Sequence, residues 1–226
     1  MPSHVHTIAT GLSTAYLVEN ETGLVLVDAG CPHYARRVLR RMRALGYDSL
    51  QLIFITHAHL DHYGSAAALR RTTGAPIAIH RADGEAMAQG ETPVGSVRGQ
   101  GWLMWALLRL FEPILRPEPT PPDLLLDDGD DLCAYGFDAM VLHTPGHTPG
   151  SSCLIVEGRI AFVGDLLSTS VWPRVQRSFA DDWSLIPRSL GRLQALDLAW
   201  VYAGHGRRPI SGERLKRLTY RPPRSE

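Results

Sequence analysis

The chain has 226 residues, 44% of them apolar, with 23 basic and 23 acidic side chains. That length buries a full core without covalent staples, and zero net charge excludes a global field for drawing in nucleic acid or an acidic membrane. Cys31, Cys133 and Cys153 show no C-x-x-C spacing, which excludes a disulfide framework and suits a reducing compartment. The first ten residues have no positive n-region and no apolar h-region. The longest apolar run, at 102–111, is roughly half a membrane span. A cytoplasmic protein with no membrane partner is therefore expected.

Along the chain, residues 13–19 and 24–28 read as short strands around the turn formers of 20–23. Val38, Leu39, Met42 and Leu45 recur at helical spacing within 32–45, and Gly46 closes that segment. The apolar run 50–56 (LQLIFIT) reads as a strand buried on both faces. A helix is expected over 66–72 and a strand over 77–79. Residues 90–122 differ: they are rich in Gly and Pro and carry the patch 102–111 (WLMWALLRLF). Apolar residues lie all round that short helix, so it is expected to bury against something. Strands return at 139–143, 152–156 and 160–163, then a helix at 188–198 and a last strand at 198–203. The second half loosely repeats the first. This alternation predicts an α/β layer architecture, a single domain over 1–226 with a variable insert near 90–122.

The chemistry gathers where apolar strands end. After LQLIFIT come His57, His59, Asp61 and His62, four candidate ligands within six residues. Read as an extended segment, His57, His59 and Asp61 face one side, and His62 falls where the chain turns into the next helix. Three further strand ends carry a polar residue with glycine close by: His147 in TPGHTPG, Asp165 after Gly164, and His205 between Gly204 and Gly206. Glycine lets backbone approach a buried ion where a Cβ would clash. Imidazole and carboxylate without thiolate suit zinc, and also iron or manganese.

The H-x-H-x-D-H motif at 57–62, the later His147, Asp165 and His205, the VDAG run at 27–30 and the TPGHTPGS run at 144–151 resemble the metallo-β-lactamase-fold hydrolases, in particular their glyoxalase II-like dinuclear branch. The resemblance implies a four-layer αβ/βα sandwich with two metal ions at one edge of two facing sheets. By position, His57, His59 and His147 would hold the first ion, and Asp61, His62 and His205 the second, with Asp165 bridging. Asp28 would orient a ligand from behind, as such partners do. Two dications against Asp61, Asp165 and one hydroxide leave about one positive charge, enough to activate a bridging hydroxide and polarise a carbonyl. Asp61 could also accept a proton. His143 reads as a satisfied strand-end histidine, while His4, His6, His33 and His80 have no place in the pattern.

The expected reaction is hydrolysis of an ester, thioester or lactone of a small molecule. β-Lactamases of the fold have Cys near the Asp165 position or lack that Asp, and the flavin di-iron branch replaces the residue at His59 by Glu. Glyoxalase II enzymes add a helical region for glutathione, whereas only about 20 residues follow His205. Trp102, Trp105 and Phe111 are expected to wall an apolar substrate pocket, an ordinary buried helix or homodimer contact being the alternative reading. Two rival activities stand beside hydrolysis of small acyl compounds. One is a mononuclear iron persulfide dioxygenase, and the other a nuclease aided by the basic residues beyond Arg207. For that basic cluster, a solvated face is the plain reading.

Overall fold

The computed structural model describes residues 3–99 and 101–221, without the side chains of 104, 105, 108, 109 and 112–114. Trp105, one of the expected pocket residues, thus has its side chain outside the described residues.

The chain opens with an antiparallel ribbon, β1 (His4–Thr10) and β2 (Ser13–Asn20), followed by β3 (Gly23–Val27). Helix α1 (Ala35–Ala44) then crosses to β4 (Leu52–Ile55), which lies parallel to β3. A short turn of helix, α2 (Leu60–Tyr63), and α3 (Ala66–Thr73) lead to β5 (Ile77–His80), parallel to β4. Gly74 stops α3 in the left-handed conformation at φ 72°, which only glycine adopts without strain. Helix α4 (Arg81–Ala88), a two-residue strand β6 (Ser96–Val97) and α5 (Gly101–Leu115) precede β7 (Leu124–Leu126). Sheet one therefore runs β1-β2-β3-β4-β5-β7.

The second half adds β8 (Ala139–His143), β9 (Ser152–Val156) and β10 (Ile160–Phe162). A hairpin of β11 (Leu167–Ser168) and β12 (Arg174–Val175) follows, and then β13 (Phe179–Ala180), which pairs back to β6. Helix α6 (Ile186–Gln194), β14 (Trp200–Tyr202), β15 (Ile210–Ser211) and α7 (Gly212–Lys216) complete the described chain. Sheet two runs β15-β14-β10-β9-β8. Its β8-β9-β10 meander is antiparallel and only β10 and β14 run parallel. The two halves are thus alike in layering but not in strand direction.

Burial separates three apolar clusters, and they define the layers. One packs sheet one, through Leu26, Ile53 and Ile55, against Val38 and Met42 of α1 and Leu69 of α3. A second packs sheet two, through Cys153, Ile155 and Val201, against Ile186, Leu190 and Leu193 of α6. Between the sheets lies the third, where Tyr16, Val25, Leu52 and Phe54 meet Val141, Leu154 and Phe162. Alternate side chains of one strand enter different clusters, as the pleat requires: Ile53 and Ile55 face the helices, Phe54 the other sheet. The result is the αβ/βα sandwich.

Two expectations are corrected. Residues 57–62 are not an extended segment: β4 ends at Ile55, and Asp61 and His62 ride on α2. The helix near 102–111 runs longer than expected, over Gly101–Leu115, and five of its described apolar side chains are exposed. Leu103 and Leu110 are 71% and 70% exposed, and Trp102, Leu107 and Phe111 are exposed as well. Phe54 is fully buried between the sheets, so Phe54→Ala should lower unfolding free energy by about 3–5 kcal/mol. Urea titration checks this, and a loss under about 1 kcal/mol would mean that the sheets do not share a core there.

Candidate metal centre

Parallel pairing delivers the site residues side by side. The β3/β4 register sets Val27 opposite Phe54, and the Asp28 amide donates to the Phe54 carbonyl at 2.8 Å. Asp28 thereby sits beside Thr56 and His57. In sheet two, Phe162 of β10 lies opposite Tyr202 of β14, and the ladder continues through Gly204 N–H to the Gly164 carbonyl at 2.7 Å. Asp165 and His205 follow those glycines directly. His147 comes from the loop joining β8 to β9, and the Ser152 amide ties the end of that loop to the Thr56 carbonyl at 3.0 Å. A Cβ on Gly204 would lie 2.6 Å from both Asp165 Oδ1 and the His62 ring, so glycine there makes room for the cluster.

All seven residues converge. Their ligand atoms form three overlapping groups, His57/His59/His147, His57/His62/Asp165 and Asp61/His62/His205, each within 4.8 Å. The outer two are the sets that the resemblance implies for the two ions, and the middle group joins Asp165 to a histidine from each. His59 Nδ1 and His147 Nε2 are 3.0 Å apart, and Asp165 Oδ2 lies 3.0 Å from His205 Nε2 and 3.5 Å from His147 Nε2. Asp61 Oδ2 lies 3.5 Å from His205 Nε2 and 3.7 Å from His62 Nε2. Tetrahedral ligands at 2.0–2.1 Å from a zinc ion would stand about 3.3 Å apart. The spacing fits.

Each histidine gives its outward nitrogen to an oxygen. His57 Nδ1 meets Thr56 Oγ1 at 3.0 Å, and His62 Nδ1 meets Asp28 Oδ2 at 2.7 Å. His59 Nε2 reaches the Pro93 carbonyl at 2.9 Å, His147 Nδ1 the Phe179 carbonyl at 2.9 Å and His205 Nδ1 the Leu12 carbonyl at 2.9 Å. A carbonyl only accepts, so the proton of each neutral ring is assigned to its outer nitrogen and the inner lone pair points into the cluster. The lone pairs of His59 and His147 then face one another with no proton between them. His57 Nε2, His62 Nε2 and Asp165 Oδ1 are buried without a hydrogen-bond partner among the described residues. Buried polar atoms left so are rare and costly. Cations at the centre would satisfy all of them, so the donor set fits divalent metal.

The electrostatics agree. Burial pushes His57 well below the usual imidazole range, lowers His59 and takes His147 down to about 4, which keeps all three neutral, as ligands must be. Burial acts the same way on His62 and His205, but carboxylates outweigh it. Asp28, Asp61 and Asp165 hold His62 well above its usual range, and Asp165 holds His205 up at about 9. Burial alone would raise Asp165; His205 and His62 hold it well below the carboxylate range instead. Positive charge is favoured at that end of the cluster.

Several residues of this shell have no motif in the sequence. Asp83, buried at the start of α4, accepts from the Ala58 amide at 2.8 Å, the Thr148 hydroxyl at 2.7 Å and the Gly150 amide at 2.6 Å. It locks the His57–His62 segment to the His147 loop. It stands just past a strand end, as Asp28 does, and that shared placement was the available signal. Thr56 passes the Asp28 carboxylate on to His57, donating to Asp28 Oδ2 at 3.0 Å. The carbonyls of Leu12, Pro93 and Phe179 carry no side-chain signature at all. Of the remaining histidines, His143 is satisfied by the Pro149 carbonyl at 2.8 Å and stacks on His80 at 3.9 Å, away from the cluster.

The family model of the metallo-beta-lactamase superfamily matches residues 9–205, and the chain belongs to that superfamily. Among curated relatives, the hydroxyacylglutathione hydrolase of Aeromonas hydrophila is 30% identical over 191 residues, 84% of this chain and 59% of that enzyme. Hydroxyacylglutathione hydrolase GloC of Haemophilus influenzae is 29% identical over 193 residues, 83% of this chain and 82% of the relative. Among solved structures, the di-iron-bound form of TTHA1623 superposes with a TM-score of 0.70 at 28% identity, covering 95% of this chain and 97% of that one. The chain thus pairs membership of this superfamily with a His/Asp cluster suited to divalent metal, and it spans less than two thirds of the length of the Aeromonas relative. No helix among the described residues is long and apolar enough to cross a membrane.

Asp83→Ala should lower metal affinity about 10–100-fold while the fold is retained. Competition with a chromophoric chelator measures it, and unchanged affinity would show that Asp83 does not position the ligands.

Proposed function

We propose that this protein hydrolyses small thioesters, esters or lactones with two divalent metal ions, zinc foremost, with iron or manganese as the alternatives. The observation carrying this reading is the set of inward lone pairs on five histidines, closed by Asp61 and Asp165 and fixed from outside by oxygen acceptors. His57, His59 and His147 would hold one ion, Asp61, His62 and His205 the other, and Asp165 both. Ions so held supply a water nucleophile at neutral pH and a Lewis acid for the carbonyl oxygen.

The protein's own groups do the rest. The buried Asp28–Thr56 pair keeps the His57 and His62 rings turned inward. Asp61 is less buried than His57, His59, His62 and His147, which places it to accept the proton released by water and return it to the leaving group. The cysteines offer no rival nucleophile. Burial and the nearby Asp61 push the Cys31 thiol up to about 11, and burial pushes Cys153 up to about 12. Among acyl compounds a thioester is favoured, because the named activity of both hydroxyacylglutathione hydrolases acts on an acyl group carried by glutathione. A small-molecule substrate and a cytoplasmic location fit this reading. A persulfide dioxygenase is disfavoured, since it would use one iron and leave Asp61, His62 and His205 without a role.

Elemental analysis should find two equivalents of metal per chain, and dipicolinate should remove both metal and turnover. Asp165→Ala should lose at least one equivalent and more than about 100-fold in kcat/KM on the best compound from a panel of thioesters, lactones and phosphodiesters. Full metal content with wild-type turnover in that variant would sink the bridging role. One equivalent of iron with oxygen uptake on a persulfide would replace the hydrolase reading altogether.

A further inference from the structure

The exposed side chains of α5 and the basic residues late in the chain are absorbed by nothing described so far. Leu103, Leu107, Leu110 and Phe111 fall at i, i+4, i+7 and i+8, so they share one helix face, and all four are exposed. A second apolar projection is the tip of the β11–β12 hairpin, where Val171 and Trp172 are 73% and 72% exposed. The segment from that tip to β13 links the two. The Arg98 amide donates to the Ser178 carbonyl at 3.0 Å, and Gly101, the first residue of α5, packs on that same carbonyl.

Cations surround these projections. Arg174 and Arg177 lie on the linking segment. Thr169 Oγ1 donates to the Arg208 carbonyl at 3.2 Å, and Arg207 and Arg208 directly follow the His205 loop. Pro173, next to Trp172, shares a cavity of about 440 Å³ with Arg214 and Arg217. Among the described residues no ion pair joins a carboxylate to Arg174, Arg177, Arg207, Arg208, Arg214 or Arg217, although Glu213 lines the same cavity as Arg214 and Arg217 and Lys216 pairs with Asp197. Zero net charge therefore conceals a local excess beside two exposed apolar projections.

We infer that this face docks on an anionic lipid surface, with the Leu103/Leu110 face of α5 and the Val171–Trp172 tip entering the headgroup region and the arginines lying on the acidic headgroups. Adjacent apolar and basic surface is what interfacial binding requires. A nucleic acid would satisfy the arginines but leave the leucines and Val171 in water. A second copy of the chain would cover the leucines, but a two-fold contact sets a patch against itself and brings arginine to arginine. The local distribution thus revises the expectation of no membrane partner drawn from net charge. The inference does not rest on the proposed reaction.

Full-length, metal-loaded protein is sedimented with phosphatidylcholine vesicles, with or without about one third phosphatidylglycerol. At low salt the anionic vesicles should bind about ten-fold better than the neutral ones, and the preference should shrink as salt rises. Leu103→Glu with Leu110→Glu should weaken that binding about ten-fold, and Trp172→Ser should weaken it too. Arg214→Ala with Arg217→Ala should erase part of the anionic preference only. All these side chains are exposed, so metal content and thermal stability should match wild type and serve as the control for folding. No binding to anionic vesicles at low salt overturns the inference, as does binding that the leucine and tryptophan variants leave untouched. A dimer that Leu103→Glu with Leu110→Glu splits, without vesicle binding, would assign the face to a second copy. Duplex DNA or RNA binding that survives that variant, without vesicle binding, would assign the arginines to nucleic acid.

Discussion

Five imidazole rings gathered together, four of them buried and His205 partly so, with their inner nitrogens turned toward one another and two carboxylates among them, set the terms for the rest of this structure. In isolation such a cluster is unfavourable: His59 Nδ1 and His147 Nε2 sit 3.0 Å apart, and three of its buried polar atoms have no hydrogen-bond partner among the described residues. Divalent cations turn the same arrangement into a favourable one, because each inward atom becomes a ligand. The outer hydrogen bonds are therefore as much a part of the centre as the rings. They select the tautomer, and the tautomer decides where each lone pair points. Neutral rings at His57, His59 and His147 and carboxylate-stabilised charge at His62 and His205 follow from burial on one side and Asp28, Asp61 and Asp165 on the other.

The backbone meets these terms by placing ligands at strand ends, where the chain has left the ladder but its direction is still set by the sheet. Two parallel pairs do this, β3/β4 for Asp28 and His57 and β10/β14 for Asp165 and His205. The insert near 90–122 is two things at once. Its stem takes part in the centre, since Pro93 holds His59 and β6 braces β13, whose Phe179 holds His147. Its helix α5 exposes Leu103, Leu107, Leu110 and Phe111, side chains that residues 102–111 led one to expect inside. The stem and the helix thus answer to different constraints.

Legibility in the sequence followed the same division. The strands β2 to β5, β8 to β10 and β14, with α1 and α3, were readable from apolar patterning because each is decided by its own neighbours, whereas β1, β7 and the two-residue strands were not. The seven ligand residues were readable because His and Asp beside glycine at strand ends are a side-chain signal. The path through residues 57–62 was not: strand alternation was carried past Ile55, where hydrogen bonding had ended and Asp61 and His62 had entered a helical turn. The carbonyls of Leu12, Pro93 and Phe179 were illegible in principle, since any residue type supplies one. Asp83 was legible only by analogy with Asp28, an acid just beyond an apolar strand.

The two sheets contribute to the cluster in nearly equal parts. His57, His59, Asp61 and His62 follow β4 of sheet one, whereas His147, Asp165 and His205 come from loops of sheet two. The apolar layer between the sheets holds them face to face before any ion arrives, so metal affinity draws on packing far from the ligands. The converse also holds. Ions held from both sheets would act as a clasp across the sandwich, and their binding free energy would add to the docking of one layer on the other. Removal of metal should therefore be felt first at the seam between the sheets rather than within either one.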